Sequence, residues 1–238
     1  MKIVVDSHTH TISSGHAYST VQEMAREAPL NGIEMIALTD HGPALHNIPP
    51  FHFTNMRVIP PVLYGTAIVK GIEANIIDYE GNLDLEDKYL KRLDFVIASL
   101  HDICIMPSTV EEHTNAIVNA LKNPLVDTVG HPGNPQFQVD IEKVVKTAKE
   151  AGKAIEINNH SFVVRRGSED NCREFVMKCK QYGVKVVCGS DAHISFDIGK
   201  FDKIKALFEE CGMPEELILN TSVERFGQYL KLRKDRLK

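Results

Sequence analysis

The sequence lacks any stretch of 18 consecutive apolar residues, which predicts that no segment spans a membrane. Its first residues lack the long apolar core of a secretory signal, so we expect none. The five cysteines are odd in number and form no Cys-x-x-Cys pair, which argues against a disulfide framework and predicts a cytoplasmic location. An excess of basic residues is also missing. The net charge of −5 disfavours a surface that coats nucleic acid.

Glycine-rich nucleotide-binding motifs are absent as well. Neither G-x-G-x-x-G nor G-x-x-x-x-G-K-[ST] follows an apolar run, so a nucleotide-binding open sheet has no support. We find no linker, internal repeat or low-complexity tract, and 238 residues suit one large α/β domain. The sequence therefore predicts a single domain over residues 1–238, and it does not predict an oligomeric state.

Short apolar runs rich in Val and Ile alternate with amphipathic segments along the chain. The runs do not alternate with polar residues, which is typical of parallel strands buried on both faces. Between them, apolar residues recur at helical spacing, and each such stripe predicts a helix that lies on a sheet. This βαβ pattern predicts a parallel sheet, and we favour a closed barrel. The runs are residues 3–5, 35–38, 68–69, 95–98, 126–129, 154–155, 184–188 and 217–219.

Three further features are read from local composition. Residues 42–61 form the main irregular stretch, and a long loop inside a compact domain is often functional. Residues 231–238 are basic, and we expect a solvated helix end there, with a partner site as the alternative. Capping boxes predict helix starts, and the pairs are Thr20 with Glu23, Ser108 with Glu111, and Thr221 with Glu224.

Metal-binding residue types stand where the apolar runs end. In a parallel barrel the C-terminal ends of all strands open on one face, so residues distant in sequence converge there. A single histidine at a strand end is more often an ordinary polar residue, but that explanation does not account for the repetition at successive ends. The candidates are Asp6, His8, His10, His16 in the loop after the first run, Asp40, His41, Glu73, His101, His131, Asp191 and His193.

The local spacing favours metal ligation. Alternate residues on a strand point the same way, so Asp6, His8 and His10 share a face, and Asp191 shares one with His193. Imidazole together with carboxylate suits Zn²⁺, with Mn²⁺ or Fe²⁺ as alternatives. The candidates are too many for one four-coordinate ion, and they predict two or three ions.

Three acidic residues have a different expected role. Glu156 is a carboxylate inside an apolar strand, and we expect it to orient a ligand histidine rather than to bind metal. Asp6 and Asp40 can act in the same way. The predicted site therefore contains residues that orient the ligands as well as residues that bind metal.

Four histidines fall outside the candidate set. His113 lies on the apolar stripe of its helix, so we expect a buried structural residue. His46 and His52 lie in the loop 42–61, where solvated residues are expected and substrate contact is the alternative. His160 follows the sixth apolar run near the expected mouth, and both roles stay open for it.

The ordered motifs D-x-H-x-H, T-D-H, G-x-E, S-L-H, G-H-P and G-S-D-x-H resemble the PHP (polymerase and histidinol phosphatase) domain family. Residues 52–57, 71–75, 131–135 and 167–173 are similar to the small stand-alone bacterial PHP phosphatases. The resemblance covers essentially the whole chain. It implies a distorted (β/α)7 barrel of parallel strands with a metal cluster at the C-terminal face.

The resemblance also implies a ligand set for three divalent metal ions, commonly zinc. The segment around Arg165 and Arg166 matches the family less cleanly, so no phosphate role is carried over to it. Glu73 is implied as a bridge between the first and third ions. The implied ligands are His8, His10 and Asp191 for the first ion, His16, His41 and His193 for the second, and His101 and His131 for the third.

The implied activity is that of a metal-dependent phosphatase that hydrolyses small-molecule phosphomonoesters with a metal-bound hydroxide as nucleophile. Glu73 and Asp191 are assigned to fix the spacing of the ions, as ligands and not as bases. Arg57, in the loop 42–61, is the candidate for an additional phosphate contact, with a solvated arginine as the alternative. The sequence identifies neither the general acid nor the substrate.

Other functions stay open at this point. An amidohydrolase also places H-x-H on its first strand, but His16, His193 and the T-D-H motif argue against it. A phosphodiesterase or exonuclease is a second alternative, which the acidic chain disfavours. A histidinol-phosphate phosphatase is the alternative at the level of the substrate, and a metal-binding scaffold without turnover is the alternative that is not an enzyme.

Overall fold

The computed structural model describes residues 1–237. Within them, the strands are β1 (Val5–Thr9), β2 (Met35–Leu38), β3 (Val62–Leu63), β4 (Thr66–Asn75), β5 (Phe95–Ser99), β6 (Thr128–Val129), β7 (Ala154–Asn158) and β8 (Val186–Gly189). The α-helices are α1 (Val21–Leu30), α2 (Pro43–His46), α3 (Phe51–Asn55), α4 (Asp87–Leu90), α5 (Val110–Lys122), α6 (Ile141–Ala151), α7 (Ser161–Val164), α8 (Ser168–Tyr182), α9 (Asp202–Cys211) and α10 (Val223–Arg236). Short 3-10 helices span Ile12–Ser14, Met56–Val58, Pro135–Phe137, Ser195–Asp197, Glu215–Leu217 and Leu219–Thr221.

The strands form one nearly closed sheet. Their order is β1-β2-β4-β5-β6-β7-β8, with parallel pairing throughout, and β3 adds an antiparallel hairpin to β4. β1 and β8, the first and last strands of this order, meet at the C-terminal end of the barrel. There the N–H of Asp191 donates to the carbonyl of His8 at 2.9 Å, and the N–H of His10 donates to the carbonyl of Ala192 at 2.9 Å. The predicted distorted (β/α)7 barrel is confirmed.

The barrel interior divides into an apolar and a polar half. Val69 and Glu73 lie four residues apart on β4 and so share its inward face. Val69 packs in an inner apolar cluster with Phe95 and with Phe226 of α10, which covers the N-terminal end of the strands. Glu73 stands at the other end and is 1% exposed. The candidate metal ligand Glu73 therefore lies toward the C-terminal end of the barrel interior, and the apolar cluster fills the N-terminal end.

A second apolar cluster fills the space between the sheet and the surrounding helices. The stripe of α1 buries Met24, Ala25 and Ala28, as its periodicity predicts. Its N-terminus has the predicted capping box of Thr20 and Glu23. No helix within residues 1–237 is both long and apolar enough to cross a bilayer.

The structure corrects two predicted helix starts. The box before α5 is formed by Thr109 and Glu112, one residue later than predicted from Ser108 and Glu111. At α10, Ser222 caps the helix by accepting from the N–H of Arg225, in place of the predicted pair of Thr221 and Glu224. In both cases neighbouring Ser and Thr residues are equivalent by sequence, and the backbone geometry selects between them.

Two predicted segments also differ from expectation. The run 217–219 is not a strand but lies in two 3-10 turns, with a single parallel bridge from Ile218 to Val186. The stretch 42–61 is not one irregular loop, because it contains α2, α3 and the 3-10 turn Met56–Val58. α2 lies close to the loop after β1 at the C-terminal end of the barrel, since the ring centroids of His46 in α2 and His16 are 4.9 Å apart.

Candidate metal centre

The predicted ligands converge at the C-terminal end of the barrel. His8 and Glu73 lie in β1 and β4, and the others follow strands directly or, for His16, lie in the loop after β1. The register of β1 against β2 shifts between Asp6 and Thr9, and such an irregularity re-aims the side chains around it. The sequence thus brings together the ligand positions His8, His10, His16, His41, Glu73, His101, His131, Asp191 and His193.

Glu73 lies at the centre of the cluster. Its Oε2 is 3.3 Å from Nε2 of His8 and 2.8 Å from Nδ1 of His41. Its Oε1 is 3.3 Å from Nε2 of His101 and 2.9 Å from Nε2 of His131. Oε2 also lies 3.6 Å from Nε2 of His10, so the two oxygens face different sets of imidazoles, which is the geometry that a bridging carboxylate needs.

Asp191 closes the opposite side. Its Oδ1 lies 3.1 Å from Nε2 of His10 and 3.7 Å from Nε2 of His8. Burial alone would raise the pKa of Asp191, but His8 and His10 lower that pKa well below its usual range. The same balance of burial against His8 and its neighbours lowers the pKa of Glu73 well below its usual range. Both carboxylates are therefore charged at neutral pH.

Three close groups within the cluster have their ligand atoms within 4.8 Å of one another. One is the predicted first set. The other two each share two members with a predicted set, because His10 and His41 lie between neighbouring sets. The groups are His8, His10 and Asp191; His10, His41 and His193; and His41, Glu73 and His101.

The outer nitrogens of several ligand rings are held by the protein. Nδ1 of His8 lies 2.6 Å from Oε1 of Glu156, and Nδ1 of His101 lies 2.7 Å from Oδ1 of Asn75. These oxygens accept the Nδ1 proton, so Nε2 of each ring presents a lone pair to the cluster. The Glu156 contact is the one expected of a residue that orients a ligand. Burial lowers the pKa of His8, but Glu156, Glu73 and Asp191 outweigh burial and raise it well above its usual value, so without a metal ion Nε2 of His8 would carry a second proton, which an ion at this position would replace.

His16 and His193 give the sharpest geometric argument. Nδ1 of His16 lies 3.1 Å from the carbonyl oxygen of Ser14, and Nδ1 of His193 lies 2.9 Å from that of Asp191. Because each Nδ1 proton is donated to a carbonyl, both Nε2 atoms are lone-pair acceptors, and they lie 2.8 Å apart. Two lone pairs at this distance repel each other unless a cation lies between or beside them. Burial and His193 lower the pKa of His16 to about 4, so the His16 ring itself is neutral at neutral pH.

Whether these side chains can hold metal ions depends on the ligand atoms that face the centre of the cluster. In residues 1–237, Nε2 of His8, Nε2 of His10, Nδ1 of His41 and Oε2 of Glu73 are buried and have no hydrogen-bond partner. Buried polar atoms are nearly always satisfied, so four such atoms facing one another require a ligand that is not protein. Imidazole nitrogen and carboxylate oxygen are donors that Zn²⁺ accepts. The residues fit the metal site that the sequence predicts.

Ser14 and Asp40 support the cluster from behind. The hydroxyl of Ser14 donates to Oδ1 of Asp40 at 2.7 Å and lies 3.1 Å from Nδ1 of His10. It also accepts from the N–H of His41 at 3.3 Å, while its carbonyl faces His16. One serine thus touches three predicted ligands. Sequence reasoning missed this residue because serine is common in turns and carried no distinguishing signal.

Asp40 orients ligands as expected, whereas Asp6 acts only on the backbone. Asp40 holds Ser14, as described, and its Oδ2 lies 3.5 Å from Nε2 of His52. His52 is therefore not the solvated loop residue predicted, because this contact draws it inward. Asp6 accepts from the N–H groups of Ser190 at 3.0 Å and Gly199 at 2.9 Å, so it fixes the loop after β8.

The backbone is strained at two predicted ligands. His131 has φ of 30° and Asp191 has φ of 58°, in the left-handed region that side chains other than glycine rarely adopt. Strain of this kind persists where surrounding contacts impose it, and it clusters at functional sites. Close packing supports the same part of the site, since a Cβ at Gly189 would lie 2.3 Å from Oε1 of Glu156.

A cavity of about 490 Å³ opens above the cluster. Arg165 lines it, with Nη1 3.6 Å from Oδ2 of Asp191 and 3.1 Å from Oγ of Ser161. Arg57 does not reach it, because the 3-10 turn Met56–Val58 leaves this side chain exposed and outside the cavity lining. The structure therefore gives no support to the phosphate contact predicted for Arg57, and sequence reasoning passed over Arg165 because its segment departs from the family pattern.

The remaining histidines have distinct surroundings. His46 and His160 line the cavity, so His46 is exposed but not remote from the site. His113 is buried as predicted, and its Nε2 accepts from the N–H of Ser108 at 2.6 Å while Nδ1 lies 3.0 Å from the carbonyl of Gln138. Both of its nitrogens are therefore satisfied by the backbone, and it is a structural residue.

Comparison with known proteins agrees with this geometry. The sequence model of the PHP domain matches residues 6–160. The chain belongs to the PHP domain family. A protein described as a probable phosphatase from Acetivibrio thermocellus is 65% identical over 239 residues, covering 100% of this chain and 99% of that protein. Another probable phosphatase, from Thermoanaerobacter sp. (strain X514), is 53% identical over 240 residues, covering 100% of this chain and 98% of that protein.

A solved structure shares the fold. It is the crystal structure of histidinol phosphate phosphatase from Lactococcus lactis subsp. lactis Il1403, complexed with zinc, L-histidinol and phosphate. The TM-score is 0.60 at 17% identity, covering 88% of this chain and 94% of that chain. The predicted enzyme class, a phosphatase of the PHP family, is confirmed by these relatives. The family model ends before Asp191 and His193, which the barrel nonetheless brings to the PHP ligand cluster.

Proposed function

We propose that this PHP protein is a phosphomonoesterase for small molecules, built around three divalent metal ions, with zinc expected and manganese or iron as alternatives. The observation that carries the proposal is the central carboxylate of Glu73, whose two oxygens face different sets of imidazoles. His8, His10 and Asp191 would hold the first ion. The second ion would be held by His16, His41 and His193, and the third by His101, His131 and the bridging Glu73.

Divalent ions in such a site lower the pKa of bound water and neutralise phosphoryl charge. The protein's own residues supply position and charge. Glu156, Asn75 and Ser14 hold the outer ring nitrogens, so the lone pairs of His8, His101 and His10 stay aimed inward.

Arg165 is our candidate for the phosphate contact. Its guanidinium is positioned by Ser161 beside the cluster, and a planar fork of N–H donors matches a phosphoryl group. Burial and the nearby charge of Arg165 lower the pKa of His131 to about 4, which keeps this ligand neutral at physiological pH. Arg165 would therefore contribute to anion binding and would keep His131 unprotonated.

The cavity indicates a small organic substrate. Its volume of about 490 Å³ is that of a site for small ligands. Leu45, Ile103 and Val164 give it an apolar wall opposite the metal ligands. A nucleic acid is disfavoured by the net charge of −5.

The first test is hydrolysis of para-nitrophenyl phosphate together with elemental analysis of the same sample. We expect two to three equivalents of metal, loss of activity on chelation, and recovery with Zn²⁺ or Mn²⁺. Full activity in a metal-free sample would refute the proposal. Full metal content without hydrolysis of any phosphomonoester would favour the scaffold reading.

Two substitutions locate the activity within the chain. Glu73→Gln removes the bridging charge, and we expect a loss of at least about 10²-fold in kcat/KM together with a loss of metal. Its control is Glu80→Gln, an exposed carboxylate away from the site. Arg165→Ala should raise KM for phosphate esters, whereas Arg57→Ala should leave both constants unchanged. Equal effects of the two arginine substitutions would contradict the assignment of Arg165.

A further inference from the structure

A second chamber adjoins the cavity above the metal centre. It has a volume of about 330 Å³, and it is walled partly by the loop after β6 and the turn after α7. The two chambers share His101, Asp102, Val164 and Arg165 in their linings. The two chambers therefore lie next to each other at these residues, and a molecule whose phosphate lies at the metal centre would reach the second chamber by passing them.

The polar lining of this outer chamber differs from that of the inner one. It contains Asn134, Gln136 and Arg166 and has none of the metal ligands except His101. Asp102 is engaged there, because its Oδ2 accepts from Nε2 of Gln136 at 3.0 Å. Asn134 and Gln136 are engaged as well, since Oδ1 of Asn134 accepts from the N–H of Gln136 at 3.1 Å, which leaves Arg166 as the group available to another part of the substrate.

Arg165 and Arg166 divide between the two chambers. Arg165 turns inward, as its contacts with Ser161 and Asp191 show. Arg166 lines only the outer chamber, and within residues 1–237 its side chain makes no hydrogen bond or ion pair. With Arg165 turned inward, the charges left to the outer chamber are those of Asp102, which already accepts from Gln136, and of Arg166, which has no partner among the described residues. This balance favours an anion over a cation at the outer end.

We propose that the outer chamber binds a second anionic group of the substrate through Arg166, so that the preferred substrates are phosphomonoesters carrying another phosphate or a carboxylate. This inference rests on the proposed phosphatase function. The apolar Val164 lines both chambers, so it would contact the organic spacer that joins the two anions. A charge-assisted contact to an accessible guanidinium gives about a tenfold preference.

The activity test compares alkyl monophosphates with α,ω-alkanediol bisphosphates of three to eight carbons. For the wild-type enzyme we expect the bisphosphates to have about tenfold higher kcat/KM at the spacer length that reaches Arg166. Arg166→Ala should abolish that preference and leave para-nitrophenyl phosphate turnover unchanged. Arg57→Ala is the matched control. Arg57 is exposed, lies outside both chambers and has no side-chain partner among residues 1–237, so this substitution should preserve the preference.

A binding test separates this inference from the proposed function. Calorimetric titration of the metal-loaded protein with alkane bisphosphonates and alkyl monophosphonates needs no turnover. Tighter binding of the bisphosphonate by wild type, lost in Arg166→Ala, supports the inference even if hydrolysis fails. Equal binding of the two compounds would overturn it, as would a preference for aminoalkyl phosphates, which would assign the chamber to a cation on Asp102. Absence of phosphatase activity alone would refute only the proposed function.

Discussion

Both ends of the barrel bury charged side chains, but the two ends satisfy them differently. At the N-terminal end of the strands, Asp127 accepts from Nη1 of Arg233 at 2.9 Å and from the N–H of Val96 at 2.8 Å. Arg233 is 1% exposed and donates to the carbonyls of Leu93 at 3.1 Å and Leu90 at 2.7 Å. Except for Nε of Arg236, the polar atoms of this closed end find partners within the protein.

The C-terminal end is built from the same kinds of groups and lacks that closure. Glu73 and the imidazoles around it present lone pairs to one another, and four of these buried atoms have no partner in residues 1–237. Buried charge stabilises a fold only when its partners are complete. The comparison therefore separates charge that serves the fold from charge that is arranged for a ligand, and each end predicts a different response to substitution.

Asp127→Asn should have the largest effect on stability. It leaves Arg233 buried with its countercharge removed, and breaking such a pair costs about 3–5 kcal/mol. We expect this fall in the free energy of unfolding by urea denaturation, with kcat of the folded fraction unchanged. Glu73→Gln is the contrasting variant, because it should lose metal and activity while the metal-free protein loses less stability than Asp127→Asn does. A large loss of metal-free stability in Glu73→Gln would break the distinction between the two ends.

We call the C-terminal end of the barrel the open end. Ser14→Ala tests whether the ligands at this end depend on the residues that support them. The substitution removes the hydroxyl between Asp40 and His10, and loss of such an outer contact weakens metal binding about 10–100-fold. The measurement is competition with a chromophoric chelator, and unfolding of the metal-free protein should change by only about 1 kcal/mol. Ser13→Ala is the control, since no side-chain contact joins Ser13 to a ligand. Unchanged metal affinity in Ser14→Ala would show that the ligands are held without it.

Sequence reasoning predicted the open end better than the closed one. The ligands stand at fixed offsets from apolar runs, so strand periodicity and barrel topology together bring His8, Glu73 and His131 to one place. Residues 231–238 are predicted to be a solvated helix end, and residue 238 lies outside the described residues. Of the others, Lys231, Leu232, Lys234 and Asp235 are exposed as predicted, but Arg233 is buried and Arg236 pairs with Asp127. Nothing local marks a buried arginine, since its partner lies about a hundred residues away and only the fold brings them together.

The other differences have similar physical reasons. A three-residue apolar run such as 217–219 is too short to distinguish a strand from a 3-10 turn. The choice of Thr109 over Ser108 as a helix cap depends on backbone angles and not on residue type. Arg57 and Arg165 are equivalent by sequence, and only the folded positions of their turns decide which one faces the cavity.

Lys153 gives the closed end a pH dependence. Burial, with Arg236 nearby, lowers the pKa of Lys153 from 10.5 to about 8. Between these values the unfolded chain binds more protons than the folded one, so the free energy of unfolding rises with pH. From pH 7.5 to 9.5 we expect wild type to gain about 1–2 kcal/mol relative to Lys153→Met. Parallel pH profiles for the two proteins would show that Lys153 keeps an ordinary pKa when folded.

The smallest expected effect concerns backbone strain at the open end. Asp191 has φ of 58°, a conformation that glycine adopts freely and that costs other residues about 1 kcal/mol. Asp191→Gly and Asp191→Ala both remove the carboxylate, so both should lose metal and activity. Only the glycine variant relieves the strain, although the greater freedom of glycine in the unfolded chain opposes part of this gain. We therefore expect metal-free Asp191→Gly to unfold at a slightly higher urea concentration than metal-free Asp191→Ala. Backbone strain of this kind can persist at a site whose contacts are completed by a ligand. The reverse order would mean that the loop after β8 relaxes without the carboxylate, and that the strain at Asp191 is imposed by its contacts with His8 and His10 and not by the backbone pairing of β1 with β8.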